Sequence, residues 1–197
     1  MKRAIITVLV LFPLVSSAFA QEDWPHIRGY DYTGRSSWDG MVSPWPAAGP
    51  KIQWKKKIGS GYSSFAIANG KVFTQMQTRA GQYVLCIDLE TGKEAWRARY
   101  NWPWELGKEF PGPFGTPTYC DGRIFFTGCY GTAGCLDAKT GKFLWTLNLM
   151  EVFQTETPGF GYACTPLALD DRRQEPQLRG EVGLARAIQR YPVQRPG

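Results

Sequence analysis

Through its middle, the chain alternates between short apolar runs and compact turn signals. Phe65-Ala66-Ile67-Ala68 gives way to Asn69-Gly70 and then to Lys71-Val72-Phe73-Thr74. Thr118-Tyr119-Cys120, Asp121-Gly122 and Arg123-Ile124-Phe125-Phe126-Thr127 repeat those events. Apolar runs this short predict strands, and Asn-Gly or Asp-Gly between them predicts a tight hairpin. A second pattern follows each hairpin. Cys86-Ile87-Asp88-Leu89-Glu90-Thr91-Gly92-Lys93-Glu94-Ala95-Trp96 returns as Cys135-Leu136-Asp137-Ala138-Lys139-Thr140-Gly141-Lys142-Phe143-Leu144-Trp145, at an offset of 49 residues. In each copy the Asp carboxylate can accept backbone N–H groups just ahead of it and start a turn. Gly supplies the positive φ that closes the turn, and the returning strand carries a Trp suited to packing between units.

Two hairpins make a unit of four short strands, and self-similarity at a period of 20 to 50 residues marks a repeat architecture. Strands are expected at 64–68, 71–76, 83–88 and 93–98 in the first unit, with 77–81 a polar loop. In the second they are expected at 116–120, 123–128, 133–137 and 143–147. Gly161 opens a third unit, in which Thr165-Pro166 lies 49 residues after Thr116-Pro117. Four-stranded units of this kind are the blades of a β-propeller. The fold class expected is therefore all-β: a partial β-propeller of two complete blades plus the start of a third.

The Asp-x-x-Thr-Gly-Lys-x-x-Trp pattern, carried by Asp88, Thr91, Gly92, Lys93 and Trp96 and again by Asp137, Thr140, Gly141, Lys142 and Trp145, resembles the repeat of PQQ-like (pyrroloquinoline-quinone-like) β-propellers. That group includes quinoprotein alcohol dehydrogenases and the propeller lipoprotein of outer-membrane protein assembly. The resemblance covers about 51–170. It implies that residues 52–58 supply an outer strand which closes the ring with the last blade. It also implies that further blades belong to the complete propeller. If the enzymatic branch applied, PQQ and calcium would be its cofactors. That branch uses an adjacent Cys-Cys pair, a Trp floor, carboxylate and Asn ligands for calcium and an Asp base. This sequence has no adjacent cysteines.

Outside the repeats, four segments are expected: a signal peptide at 1–20, a Trp/Pro/Gly-rich arm at 21–50, the blades at 51–170 and a non-structural tail at 171–197. Lys2-Arg3, the apolar run that follows and Ser16-Ser17-Ala18-Phe19-Ala20 have the order of a secretory signal. Cleavage after Ala20 would give a periplasmic or secreted product without a membrane span. The arm's Trp24-Pro25-His26-Ile27-Arg28-Gly29 is similar to the opening of exported PQQ-like proteins. Beyond Asp170 the strand pattern stops and all six basic residues are Arg, which suggests a shifted frame or a disordered tail.

Composition narrows the chemistry. The net charge is +6, and no basic cluster exceeds Lys55-Lys56-Lys57, so nucleic acid is not an expected partner. His26 is the single histidine, which excludes paired-histidine chemistry within the chain. Five cysteines leave at least one unpaired; Cys129 and Cys135 could bond across one hairpin loop, and the remainder are expected as small buried hydrophobes. Cys86 and Cys135 stand in adjacent sheets, too far apart to bond. The long insertion between the blades holds Trp102, Trp104 and Glu105, which could stack a flat cofactor or sugar, or could form an aromatic lid over the blade tops. No catalytic residue and no metal ligand is assigned. The expected function is an exported scaffold that binds a protein or carbohydrate partner, with a PQQ-dependent alcohol or sugar oxidoreductase fragment as the alternative. If the Trp145 ring is a core anchor, its loss should cost about 3–5 kcal/mol.

Overall fold

The structure, a computed structural model, describes residues 23–37, 44–105 and 109–168. The signal-peptide segment 1–20, Trp38, Asp170 and the tail 171–197 lie outside the described residues.

Eight strands form two antiparallel four-stranded sheets, each ordered as the chain runs. The first holds β1 (Ala66–Ala68), β2 (Lys71–Thr78), β3 (Gly81–Asp88) and β4 (Glu94–Asn101). The second holds β5 (Thr118–Cys120), β6 (Arg123–Thr127), β7 (Thr132–Asp137) and β8 (Phe143–Asn148). The inner strands β1 and β5 are neighbours across the two sheets, so the sheets converge at their first strands as propeller blades do. The registers coincide as well. Ala66, Phe73, Cys86 and Trp96 make one row across blade one, and Thr118, Phe125, Cys135 and Trp145 make the same row across blade two. The chain is a partial β-propeller.

Period-2 alternation decides what lies between the blades. Phe73, Val84, Cys86 and Ala98 on one face of blade one pack with Ile124, Phe126 and Leu136 of blade two, and Trp96 and Phe143 border them. The opposite face of blade one, with Val72, Met76, Leu85 and Ile87, is covered by Trp54 and Ile58. The segment 52–58 was expected to be an outer strand, and here the structure differs. It contains no strand, because what it meets among the described residues is a blade face and not an open strand edge. Its Trp54 nevertheless does what Trp96 does (below).

Other expectations also change. The polar loop at 77–81 is mostly strand: Thr78 pairs with Gly81, leaving Arg79 and Ala80 as the turn. A Cβ at Gly81 would lie 2.5 Å from Asn101 O, so glycine permits that close approach of β4. After β8 comes one short helix, α1 (Leu149–Phe153), capped by Asn148, whose side chain accepts from Met150 N–H at 3.0 Å. Cys129 and Cys135 are both free thiols, so the disulfide the spacing allowed is not made. Burial pushes the thiols of Cys86, Cys129 and Cys135 up to about 12, which marks them as inert core groups. Residues 161–168 are not a paired strand, yet they are seated where a third blade's first strand belongs. Thr116 N–H donates to Thr165 Oγ1 at 3.2 Å and Thr118 Oγ1 donates to Pro166 O at 2.5 Å. No helix among the described residues is long and apolar enough to cross a membrane.

Candidate functional site

The repeated motif folds into the same turn twice. Asp88 Oδ1 accepts from Thr91 N–H at 2.9 Å and Thr91 Oγ1 at 2.7 Å, and Asp137 Oδ1 accepts from Thr140 at 2.8 and 2.7 Å. These bonds hold both carboxyls below their usual range. For Asp88 the largest contribution is Lys71, whose ammonium stands 2.7 Å away; for Asp137 it is the Thr140 hydroxyl. Lys93 and Lys142 take part through their carbonyls, which accept from Asp88 N–H at 2.8 Å and Asp137 N–H at 2.9 Å. Gly92 and Gly141 have φ of 67° and 71°. Each is also a seat for an indole. A Cβ at Gly141 would lie 2.6 Å from the Trp96 ring, and one at Gly92 would lie 2.7 Å from Trp54. Trp96 Nε1 donates to Ala138 O at 3.1 Å and Trp54 Nε1 to Leu89 O at 2.8 Å. Trp145, third in the series, has Phe125 at 6.2 Å and no such seat among the described residues. The motif is therefore a joint between units and not a site.

The chemistry-bearing loop lies at the other end of the blades, where the chain enters each inner strand. Three buried glutamines hold it. Gln77 grips the backbone of Trp104 with both ends of its amide: Nε2 donates to Trp104 O at 2.8 Å and Oε1 accepts from Trp104 N–H at 2.8 Å. Gln82 Nε2 donates to Trp102 O at 2.7 Å, while its Oε1 accepts from Tyr100 Oη at 3.1 Å and Cys129 N–H at 3.3 Å. Gln75 Nε2 reaches across to Gly115 O and Thr127 O of blade two, at 2.7 and 3.1 Å. Sequence reasoning missed all three. Their signal was polar residues on the same alternating face as Phe73 and Cys86, at positions a core would give to apolar side chains.

Trp102, Trp104 and Glu105 do not converge on one point. Trp104 is 8% exposed and meets Tyr130 edge to face at 4.9 Å. Its Nε1 is buried without a partner among the described residues. Trp102 is 70% exposed, with the Arg99 guanidinium 4.7 Å from its ring centre. Arg99, Tyr100, Asn101 and Trp102 line an open depression of about 350 Å³. Glu105 is half-buried at φ 46° and raises the thiol pKa of Cys129 slightly. These residues do not fit PQQ with calcium. Arg99 occupies one face of Trp102, Trp104 is packed away, and no group of three or more His, Cys, Asp or Glu side chains among the described residues could hold a metal.

A different set of side chains does gather at this end. Tyr62 leads into blade one, Phe110 and Phe114 into blade two, and Phe160 into the third unit. Tyr62 stacks on Phe114 at 5.6 Å and lies 6.3 Å from Phe110, which lies 6.4 Å from Phe160. Tyr62, Phe110 and Phe160 are 54%, 42% and 74% exposed, so the row faces solvent. Backbone bonds fix it: Tyr62 N–H donates to Pro113 O at 2.8 Å and Gly161 N–H to Pro158 O at 2.7 Å.

The channel side carries a further element. Trp24 pairs with Ile67 in both directions at 2.7 Å, and Tyr119 N–H donates to Pro25 O at 2.7 Å. Tyr32 Oη reaches Ala168 O at 3.4 Å. The arm thus crosses the inner edges of blades one and two and reaches the third unit. His26 is buried within the arm, stacked on Tyr32 at 3.6 Å.

A family model described as "Outer membrane protein assembly factor BamB" matches residues 28–98 and again 81–181. No curated protein matches the chain. Among solved structures, BamB from Moraxella catarrhalis is 19% identical over 49% of this chain and 26% of its own, with a TM-score of 0.39. A quinohemoprotein alcohol dehydrogenase from Comamonas testosteroni is 20% identical over 66% of this chain and 20% of its own, TM-score 0.47. A europium-containing methanol dehydrogenase is 20% identical over 61% and 21%, TM-score 0.44. The chain spans about a quarter or less of the length of these structures.

Proposed function

The chain belongs to the family of the outer membrane protein assembly factor BamB, and from that premise we propose that it is an exported, non-catalytic interaction scaffold whose loop end binds a partner protein. The observation that carries this reading is the exposed row Tyr62, Phe110 and Phe160, one ring from each of three successive loops, two leading into the inner strands β1 and β5 and one into the third unit. Exposed aromatic side chains held by a rigid frame are the usual anchors of protein interfaces, since they offer large contact area at small entropic cost. The frame here is rigid for stated reasons: the glutamine clamps, the Trp-on-Gly joint and the backbone bonds at Pro113 and Pro158.

Two measurements test the reading. A photo-crosslinking amino acid at position 160 should give discrete protein adducts in a cell-envelope extract, and the same group at Lys142, at the opposite end, should give none. Adducts from both positions alike would remove the loop end's claim. In parallel, purified protein titrated with PQQ and Ca²⁺ should reduce no dye in the presence of an alcohol or a sugar. Stoichiometric PQQ uptake with dye reduction would replace the scaffold with the oxidoreductase.

A further inference from the structure

Building on that scaffold reading, we infer that the aromatic row takes an extended, basic segment of the partner, laying alternate side chains along Tyr62, Phe110 and Phe160. Spacing favours this occupant. The ring centres step by 6.3 and 6.4 Å. In an extended chain, side chains on one face recur every two residues, about 6.4–6.8 Å apart. The step from Tyr62 to Phe110 and the step from Phe110 to Phe160 each match that repeat, so successive same-face side chains of the segment can meet successive rings.

Charge favours it too. The chain carries a net +6, yet the loops that carry the rings also carry the carboxylates Glu109 and Glu156. Glu109 precedes Phe110 and receives Tyr62 Oη on its carbonyl at 3.3 Å. Glu156 lies on the same loop as Phe160. Both side chains are exposed, and neither is paired among the described residues. Of the described cations, Arg79, on the β2–β3 turn, and Arg99, which lies over Trp102, stand at this end. Lys71, Lys93, Arg123, Lys139 and Lys142 all belong to the opposite end of the blades. A segment with lysine or arginine between apolar residues would place its cations against Glu109 and Glu156, and cations also bind the faces of exposed rings.

The probe is a fluorescein-labelled peptide alternating lysine with phenylalanine, compared with a glutamate–phenylalanine peptide of the same length and with a linear glucan. The basic peptide should bind the full chain, and added salt should weaken it. Phe160→Ser should weaken it roughly tenfold, the ~1.4 kcal/mol expected from one aromatic contact. Glu109→Gln with Glu156→Gln should weaken it and flatten the salt dependence, whereas Lys93→Ala should leave it unchanged. All these positions are exposed, and an unchanged urea midpoint would confirm that each variant folds. Equal binding of the acidic peptide, or a double Gln variant that binds as the parent does, would overturn the basic class. Displacement by the glucan would overturn the peptide in favour of a carbohydrate. If no probe binds while position 160 still crosslinks to protein, the basic segment falls and the scaffold reading stands.

Discussion

Single residues in this chain are constrained most tightly where a ring lies on a missing Cβ. Gly141 combines φ of 71° with the Trp96 indole 2.6 Å from the position its Cβ would occupy. Gly122 has the same backbone, φ 72°, but open space around it. Gly122→Ala should therefore cost only the left-handed conformation, about 1–2 kcal/mol. Gly141→Ala adds displacement of a packed ring, for roughly 2–5 kcal/mol altogether. Urea denaturation of the two variants checks this, and equal costs would mean that Trp96 is not seated on the turn. His26 offers a second test. Burial lowers its pKa below 6.5, with the Asp31 carboxylate and the Tyr30 backbone only partly offsetting that. Asp31 itself stays ionised, its pKa lowered by Thr33. A lowered histidine pKa means the unfolded chain binds the proton more readily. Stability should thus be full above about pH 6.5 and fall as pH drops below it. The variant His26→Phe, which can keep the stack on Tyr32, should lose this acid-side slope in denaturation midpoints followed against pH.

Among the elements, the tryptophan strands divide into seated and unseated. Trp96→Ala removes a ring packed between blades and an indole bond to Ala138 O, and should cost about 3–5 kcal/mol. Trp145 was expected to be such an anchor, but among the described residues its only ring neighbour is Phe125. Its loss should cost roughly 1–2 kcal/mol, in line with a partly exposed side chain. Comparing the two by urea midpoint distinguishes a joint from a waiting half-joint. Gln77→Leu is the matching test for the loop end. It leaves the buried Trp104 N–H and C=O without partners, at about 1–3 kcal/mol for each group. Tryptophan fluorescence should then report a loosened Trp104. These cases mark what was legible in the sequence. The Asp-x-x-Thr-Gly-Lys turns are local, since every bond within them spans six residues or fewer, so their spacing could be read directly. The seats of Trp54 and Trp96 span 35 and 42 residues, and the glutamine clamps at Gln77 and Gln82 span 27 and 20. Those pairings depend on how the blades stack, which no local pattern encodes. Trp54 was accordingly read as part of a strand, although what it contributes is its indole.

At the scale of the molecule, the arm decides how the inner strands behave. β1 and β5 have three residues each, too few to be stable alone, and the edge of each would present unpaired backbone groups to the channel. The arm satisfies part of both edges from one short stretch. Trp24 both donates to and accepts from Ile67, and the next residue, Pro25, accepts from Tyr119. Proline has no N–H, so at that position the arm can only accept, which matches the free amide that β5 offers. The stretch is itself braced, because the Trp24 ring lies where a Cβ on Gly29 would be, 2.7 Å away. One brace thus serves two blades. If so, the amides of Ile67 and Tyr119 should exchange slowly with solvent deuterium and lose protection together in Trp24→Ala. Val84 and Leu85, in the middle of blade one, should keep theirs. Protection lost at Ile67 but kept at Tyr119 would mean that the two contacts are independent. The arm would then be a strand mate of blade one alone, and not a strap across the channel side of both.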